Sequence, residues 1–236
     1  MGNYGSGKTE VAINLALYKK QEGNTVRVAD LDLINPYFRT REARHLFKKM
    51  DIDIVIPLDQ YLHADLPVLS RTVLGLIRNA AMSANEKPAG KTGEYTILDV
   101  GGDDAGATVL ASLKTGFAGI EKEHIDVLQV LNPLRPFTDT FAGVDAMRKS
   151  IEGSAKMEIT GIIGNANLIE ETTPEIIFEG LDFVKTYASE RGLPLTCVTV
   201  PEKLMYKVKN RILSTDTEIL PIKRQLTPPW IKPAAV

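Results

Sequence analysis

The start of the chain holds the residues with the most specific chemistry. Residues 2–9 read GNYGSGKT and fill every fixed position of the phosphate-binding pattern G-x-x-x-x-G-K-[ST]. The glycines of this run let the backbone take positive φ angles and approach a polyphosphate closely, so that successive amide N–H groups form an anion-binding nest. We expect all of these residues to contact a nucleotide: Gly2, Asn3, Tyr4, Gly5, Ser6, Gly7, Lys8 and Thr9.

The last two residues of this run have separate roles. The Lys8 ammonium is a mobile charge for the β- and γ-phosphates, which makes Lys8 a candidate catalytic residue, and the Thr9 hydroxyl is expected to ligate Mg²⁺. Apolar residues then recur at helical spacing, so the positive end of a helix dipole would face the phosphates. The alternative is a glycine-rich turn that merely precedes a helix.

Two later stretches carry carboxylates near the ends of apolar runs. Residues 28–33 read VADLDL, and either Asp30 or Asp32 could hold a water on Mg²⁺ or orient the attacking water. Residues 95–102 read YTILDVGG, where Asp99 is expected to bind Mg²⁺ and Gly102 to offer its N–H to the γ-phosphate. The alternative is that these are ordinary solvated acids at strand ends.

Composition excludes several classes of protein. The 236 residues carry a net charge of −2, which demands neither a nucleic acid nor an anionic membrane. A single cysteine, Cys197, excludes a disulfide framework and a multi-cysteine metal site. No stretch reaches the roughly 18 to 20 apolar residues that span a bilayer, and no signal peptide is recognised. We therefore expect a cytoplasmic protein without a membrane segment.

Apolar runs and helix-period segments alternate along the chain. The predicted strands are residues 26–33, 52–56, 95–100, 127–131, 159–164 and 195–200. The predicted helices are residues 9–22, 37–49, 66–83, 108–116, 138–152 and 174–191. Several strands are nearly continuous in Val, Ile and Leu, which is typical of a parallel sheet covered on both faces. The pattern predicts one doubly wound α/β domain over residues 1–236, with a Pro- and Trp-bearing tail at about 225–236.

One part of this architecture has no counterpart in the sequence. A phosphate loop of this kind normally follows a buried central strand, and only Met1 precedes Gly2. We expect a short apolar strand encoded upstream of Met1 to complete the sheet. The alternative is a sheet that tolerates an open slot beside the strand bearing Asp99.

Four segments together resemble the MinD/ParA group of SIMIBI-class P-loop NTPases. They read GNYGSGKT, DLD, ILDVGG and ITGIIGN, and the resemblance covers nearly the whole chain. It implies ATP and Mg²⁺ as ligands. It also implies that Asp32 in switch I places the hydrolytic water, that Asp99 and Gly102 belong to switch II, and that Asn165 contacts adenine.

The sequence departs from this group at one position. Members carry a second lysine just after the first loop glycine, which reaches across an ATP-bound dimer, and this chain has Asn3 there. A homodimer therefore stays open. Residues 165–168 read NANL and lack the N-K-x-D run of a guanine site, which favours adenine, although Asn167 could take the place of Asn165.

The leading hypothesis is a Mg-ATP-binding NTPase that hydrolyses ATP slowly and acts as a switch on an unidentified protein partner. A second is an enzyme resembling dethiobiotin synthetase or an amide ligase, which passes phosphate to a carboxylate substrate. A third is an accessory protein for metal or cofactor insertion. The basic segment 39–49 lacks aromatic interleaving, so it indicates a solvated helix face and not a nucleic-acid site.

Overall fold

The computed structural model describes residues 1–31, 43–55, 66–86, 93–101, 109–118 and 120–226. The predictions on Asp32 and Gly102, and most of the predicted tail, fall outside these ranges. They remain predictions.

Strands and helices alternate, as the sequence predicts. The strands are β1 (Thr25–Asp30), β2 (Asp53–Val55), β3 (Glu94–Asp99), β4 (Leu128–Leu131), β5 (Gly161–Gly164), β6 (Leu195–Pro201) and β7 (Ile219–Ile222). The helices are α1 (Lys8–Gln21), α2 (Arg44–Lys49), α3 (Leu66–Glu86), α4 (Phe141–Ala155), α5 (Pro174–Glu190) and α6 (Met205–Leu213). No helix in these described ranges has the length and apolar character needed to cross a membrane.

The strands form two parallel sheets. One has the order β2-β1-β3 and the other β4-β5-β6-β7. Every residue of β5 is buried, which requires cover on both faces of the sheet. Helix α5 packs on β5 and β6 and contributes to that cover, and helix α3 packs on β3 of the other sheet. The predicted doubly wound α/β fold is confirmed.

Met1 lies between the two sheets. Its amine donates to the Leu128 carbonyl at 2.9 Å, and its carbonyl accepts from the Val130 N–H at 2.7 Å, as in a parallel strand pair with β4. The Met1 side chain packs against two core clusters, one around β4 to β6 and one around β3 and α3. Among the described strands, β3 pairs only with β1.

Helix α1 links the two sheets. It packs against β1 and β3 of one sheet and against β7 of the other. Its buried residues, which include Val11, Ile13 and Ala16, therefore face more than one neighbour. Because the phosphate loop runs directly into α1, this packing fixes the loop relative to both sheets.

Candidate functional site

The phosphate loop is held tightly against its surroundings. Gly7 adopts φ 87° and caps the N-terminus of α1, and Gly2 adopts φ 155°. A side chain on Gly2 would clash with the Val130 carbonyl, and one on Gly7 would clash with the Asn165 amide. The pattern's first and last glycines are therefore required by close contacts as well as by backbone angle.

Lys8 and Thr9 occupy the first turn of α1. They are 8% and 6% exposed, so both side chains are largely enclosed. The first-turn N–H groups of a helix are unsatisfied by the helix itself and carry its positive dipole end. This is the arrangement expected for residues that bind phosphate and Mg²⁺.

Asp99 lies at the end of β3, beside Asp30 at the end of β1. The two residues are direct partners in the parallel ladder, and they are 3% and 0% exposed. Burial lowers the pKa of the Met1 amine to about 6, while the charges of Asp99 and Lys8 shift that pKa in opposite directions. Asp99 and Lys8 therefore both lie near the same amine, which brings the predicted metal ligand close to the phosphate loop.

Asn165 follows β5 and connects three segments. Its Nδ2 donates to the Ser6 carbonyl at 2.6 Å, and its Oδ1 accepts from the Thr199 hydroxyl of β6 at 2.5 Å. Its side chain is 4% exposed. These bonds engage one N–H and one lone pair of the amide, and the contact with adenine remains a prediction.

Residues 132–138 form a loop after β4 that hydrogen-bonds to the phosphate loop. Asn3 Nδ2 donates to the Pro136 carbonyl at 2.9 Å, and Arg135 Nε donates to the Gly5 carbonyl at 3.1 Å. Asn132 is 1% exposed, and its amide bonds to the Leu134 N–H and to the Asn167 carbonyl. Arg135 was not predicted from the sequence to be a site residue. The prolines at 133 and 136, on either side of it, do indicate a rigid loop.

A cavity of about 580 Å³ opens beside the phosphate loop. This volume is within the range of small-molecule sites. Its lining includes the predicted residues Tyr4, Gly5, Gly7, Lys8, Thr9 and Asn165. Gly2, Asn3, Ser6 and Asp99 are not among the lining residues; of these, Gly2, Ser6 and Asp99 are buried.

Other parts of the lining come from the ends of β6 and β7 and from the segments that follow β5, β6 and β7. Apolar side chains there come from Ile169, Pro201, Ile222 and Leu226. The basic residues of the lining outnumber the acidic ones; they are Lys8, Arg135, Lys203, Lys223 and Arg224, against Glu10, Glu170 and Glu202. The cavity can therefore take a ligand with an anionic end at the loop and a flat, partly apolar end opposite.

Three solved structures of FtsY share the fold. FtsY of Thermotoga maritima is 17% identical over 86% of this chain and 60% of its own, with a TM-score of 0.58. FtsY of Mycoplasma mycoides is 20% identical over 85% and 58%, with a TM-score of 0.53. Chloroplast FtsY of Physcomitrella patens is 16% identical over 84% and 56%, with a TM-score of 0.51.

This chain thus spans 56–60% of the length of those three proteins. No family model and no curated protein sequence matches it. Likeness at this level of identity shows a shared fold. The chain has the α/β fold of these FtsY structures.

Proposed function

We propose that the chain binds Mg-ATP and hydrolyses it slowly, as a nucleotide-dependent switch that acts on a protein partner. The observation that carries the proposal is the phosphate loop at the start of α1, which opens into a cavity of about 580 Å³ with an excess of basic residues. This arrangement provides a site for the triphosphate at one end and room for a nucleoside at the other.

The residues near the loop fit a magnesium ion. Thr9 offers a hydroxyl oxygen and Asp99 a carboxylate, and hard oxygen donors of this kind are the ligands that Mg²⁺ prefers. Bound Mg²⁺ would neutralise charge on the phosphates during transfer. The charges of Lys8 and Asp99 both act on the pKa of the Met1 amine, which supports a shared site for the two residues.

The chain's own residues would do the remaining chemistry by positioning and electrostatics. Lys8 and the loop N–H groups stabilise the charge that develops on the γ-phosphate, and Asp32 orients the attacking water for in-line displacement. Asp32 follows Leu31, whose N–H donates to the Asp99 carbonyl at 2.8 Å. Leu31, the residue before Asp32, therefore lies beside Asp99.

We also propose that the site prefers adenine and that the chain is similar to the MinD/ParA group. The support for this is the sequence: the NANL run at 165–168 lacks the aspartate of a guanine site. Asn3, at the position of the group's second lysine, donates to Pro136 within its own chain. A homodimer that depends on a charge at position 3 is therefore not part of the proposal.

The test is a phosphate-release assay on the purified protein, first alone and then with fractions of cell extract. We expect slow release with Mg-ATP, little with Mg-GTP, and acceleration by one fraction. Fast autonomous release would contradict the switch, and equal rates with GTP would contradict adenine specificity.

A further inference from the structure

Helix α1 contains a buried asparagine, Asn14, whose side chain bonds to the Glu10 carbonyl of its own helix at 2.8 Å and also to residues outside that helix. Asn14 is 5% exposed and lies among the apolar residues of α1. Asparagine is a poor residue for a helix interior, and a buried amide is costly without partners. Asn14 has them: Nδ2 donates to the Lys223 carbonyl at 3.0 Å and Oδ1 accepts from the Lys223 N–H at 2.9 Å.

One turn earlier, Glu10 makes a similar attachment. Its carboxylate accepts from the Gln225 N–H and, at 3.3 Å, from the Leu226 N–H. Burial raises the pKa of Glu10 despite these two hydrogen bonds. Two side chains of α1 thus satisfy four backbone groups of residues 223–226, which we call the strap.

The strap is also anchored by its last residue. Leu226 is 6% exposed and packs in a core cluster with Ile13 and Ala16 of α1. The strap follows β7, the edge strand of the second sheet. Hydrogen bonds to side chains of α1, and not to a neighbouring strand, therefore fix the position of the strap.

Lys223, Arg224 and Leu226 of the strap line the cavity, next to Ile222 of β7. Lys203 forms an ion pair with Glu170 at 2.6 Å and, with a smaller contribution from Arg224, lowers the pKa of Glu170. Arg224 therefore lies close enough to Glu170 for its charge to act on that carboxylate. With phosphates at the loop, the base and ribose would extend into the rest of the cavity, and the strap forms part of its wall.

We propose that the strap is the base-side wall of the nucleotide site, and that Asn14 and Glu10 are positioning residues that fix it. They would set the affinity for the nucleoside part of the ligand without touching the phosphates. The inference rests on the proposed function, since it assumes a nucleotide in the cavity.

The experiment compares two probes by isothermal titration calorimetry, Mg-ATP and inorganic tripolyphosphate with Mg²⁺. Tripolyphosphate occupies the phosphate loop but has no base. In Asn14→Ala we expect ATP affinity to fall by about tenfold or more, which corresponds to the loss of one or two ordering hydrogen bonds. Tripolyphosphate affinity should stay within about twofold of the parent.

Two further variants complete the design. Glu22→Ala alters an acid near the other end of the same helix, where the side chain pairs with Lys19 and not with the strap, and should change neither affinity. Glu10→Gln keeps the side chain's size but loses one acceptor, and should weaken ATP selectively. Circular dichroism would show whether Asn14→Ala folds. If it does not, Glu10→Gln still tests the role of the strap.

The outcomes separate the two proposals. Equal losses for ATP and tripolyphosphate, or no loss for ATP in a folded variant, would overturn the role of the strap. A parent protein that binds neither probe would overturn the proposed function, and the role of the strap with it.

Discussion

At the scale of single residues, the functional site depends on amides that join distant segments. Asn165 bonds to Ser6 of the phosphate loop and to Thr199 of β6, and Asn14 bonds to the strap. Removal of one partner of such a bond is costly in free energy, because the buried group that remains has neither its hydrogen bond nor water. They therefore fix the loop and the wall in one arrangement.

Replacement of Asn165 should expose this dependence. Asn165→Ala leaves the Ser6 carbonyl and the Thr199 hydroxyl without their partner, so we predict a loss of about 2–4 kcal/mol in the free energy of unfolding. Urea denaturation would measure it. The exposed Asn210→Ala is the matched control and should change stability little. A stable Asn165→Ala protein that fails only to bind ATP would instead support direct contact with adenine.

The two aspartates should be separable by kinetics. Asp32→Ala should bind Mg-ATP with nearly parental affinity yet lose turnover by roughly 10²-fold, as expected for a positioned catalytic group. Asp99→Ala should shift the Mg²⁺ concentration that supports binding. Titrations with ATP and with Mg²⁺ would measure both effects, and parental turnover in Asp32→Ala would show that its role is structural.

The phosphate loop could be predicted from the sequence because its chemistry is local. Its residues are adjacent, and each fixed position answers a demand that a short window of sequence records. The contacts of Glu10, Asn14 and Arg135 could not be predicted, since their partners lie 130 or more positions away. Nothing in the local pattern distinguishes Asn14 from an ordinary polar residue of a helix.

At the scale of elements, the buried strands were predictable and the last strand was not. Strands β4 and β5 read LQVL and GIIG and contain no proline, whereas the equally apolar β7 reads ILPI and contains Pro221. A proline lacks the N–H of a central strand, and it is tolerated here because β7 is the edge of its sheet. Helix α6 was missed as well; no side-chain N-cap marks its start, and it is only nine residues long.

One ion pair joins the helices α4 and α5. Asp145 accepts from the Tyr187 hydroxyl at 2.9 Å and from two nitrogens of Arg191, at 2.8–3.1 Å. The hydrogen bonds from Arg191 are the main reason that the pKa of Asp145 lies below 3.8, its usual value. A lowered pKa in the folded state means that this contribution is present above pH 3.8 and is lost as pH falls through the lowered pKa.

We therefore predict that Asp145→Ala lowers the free energy of unfolding by about 1–2 kcal/mol at neutral pH. The difference from the parent should disappear in strong acid, where the parent's Asp145 is protonated. Urea denaturation at a series of pH values would measure this. Glu190→Ala removes the more exposed partner of the same arginine and should have little effect. A pH-independent difference would rule out the ion pair as its source.

At the scale of the whole molecule, the two sheets meet around Met1. Its backbone pairs with β4, its side chain contacts both cores, and burial lowers the pKa of its amine from 8.0 to about 6. Between these two pH values the unfolded chain binds the proton more readily than the folded one. Stability should consequently fall as the pH is lowered from 8 to 6.

A short apolar strand added ahead of Met1 should remove this effect. It would replace the buried amine with an amide and offer backbone partners to β4 and to the side of β3 that no described strand covers. We predict a higher melting temperature and a flatter stability profile between pH 6 and 8. A polar, glycine-rich extension of equal length is the control. If the apolar strand raised the melting temperature no more than this control, the slot between the sheets would not accept a strand.

Thermal shift on the parent and on Lys8→Ala would show whether the phosphate loop binds Mg-ATP. ATP at about 100 times its dissociation constant should stabilise the parent by roughly 2.7 kcal/mol, and GTP should do so far less. Lys8→Ala should fold but gain no stability from ATP, while Lys209→Ala, on the exposed face of α6, should respond like the parent. A Lys8→Ala protein stabilised by ATP as strongly as the parent would contradict the account.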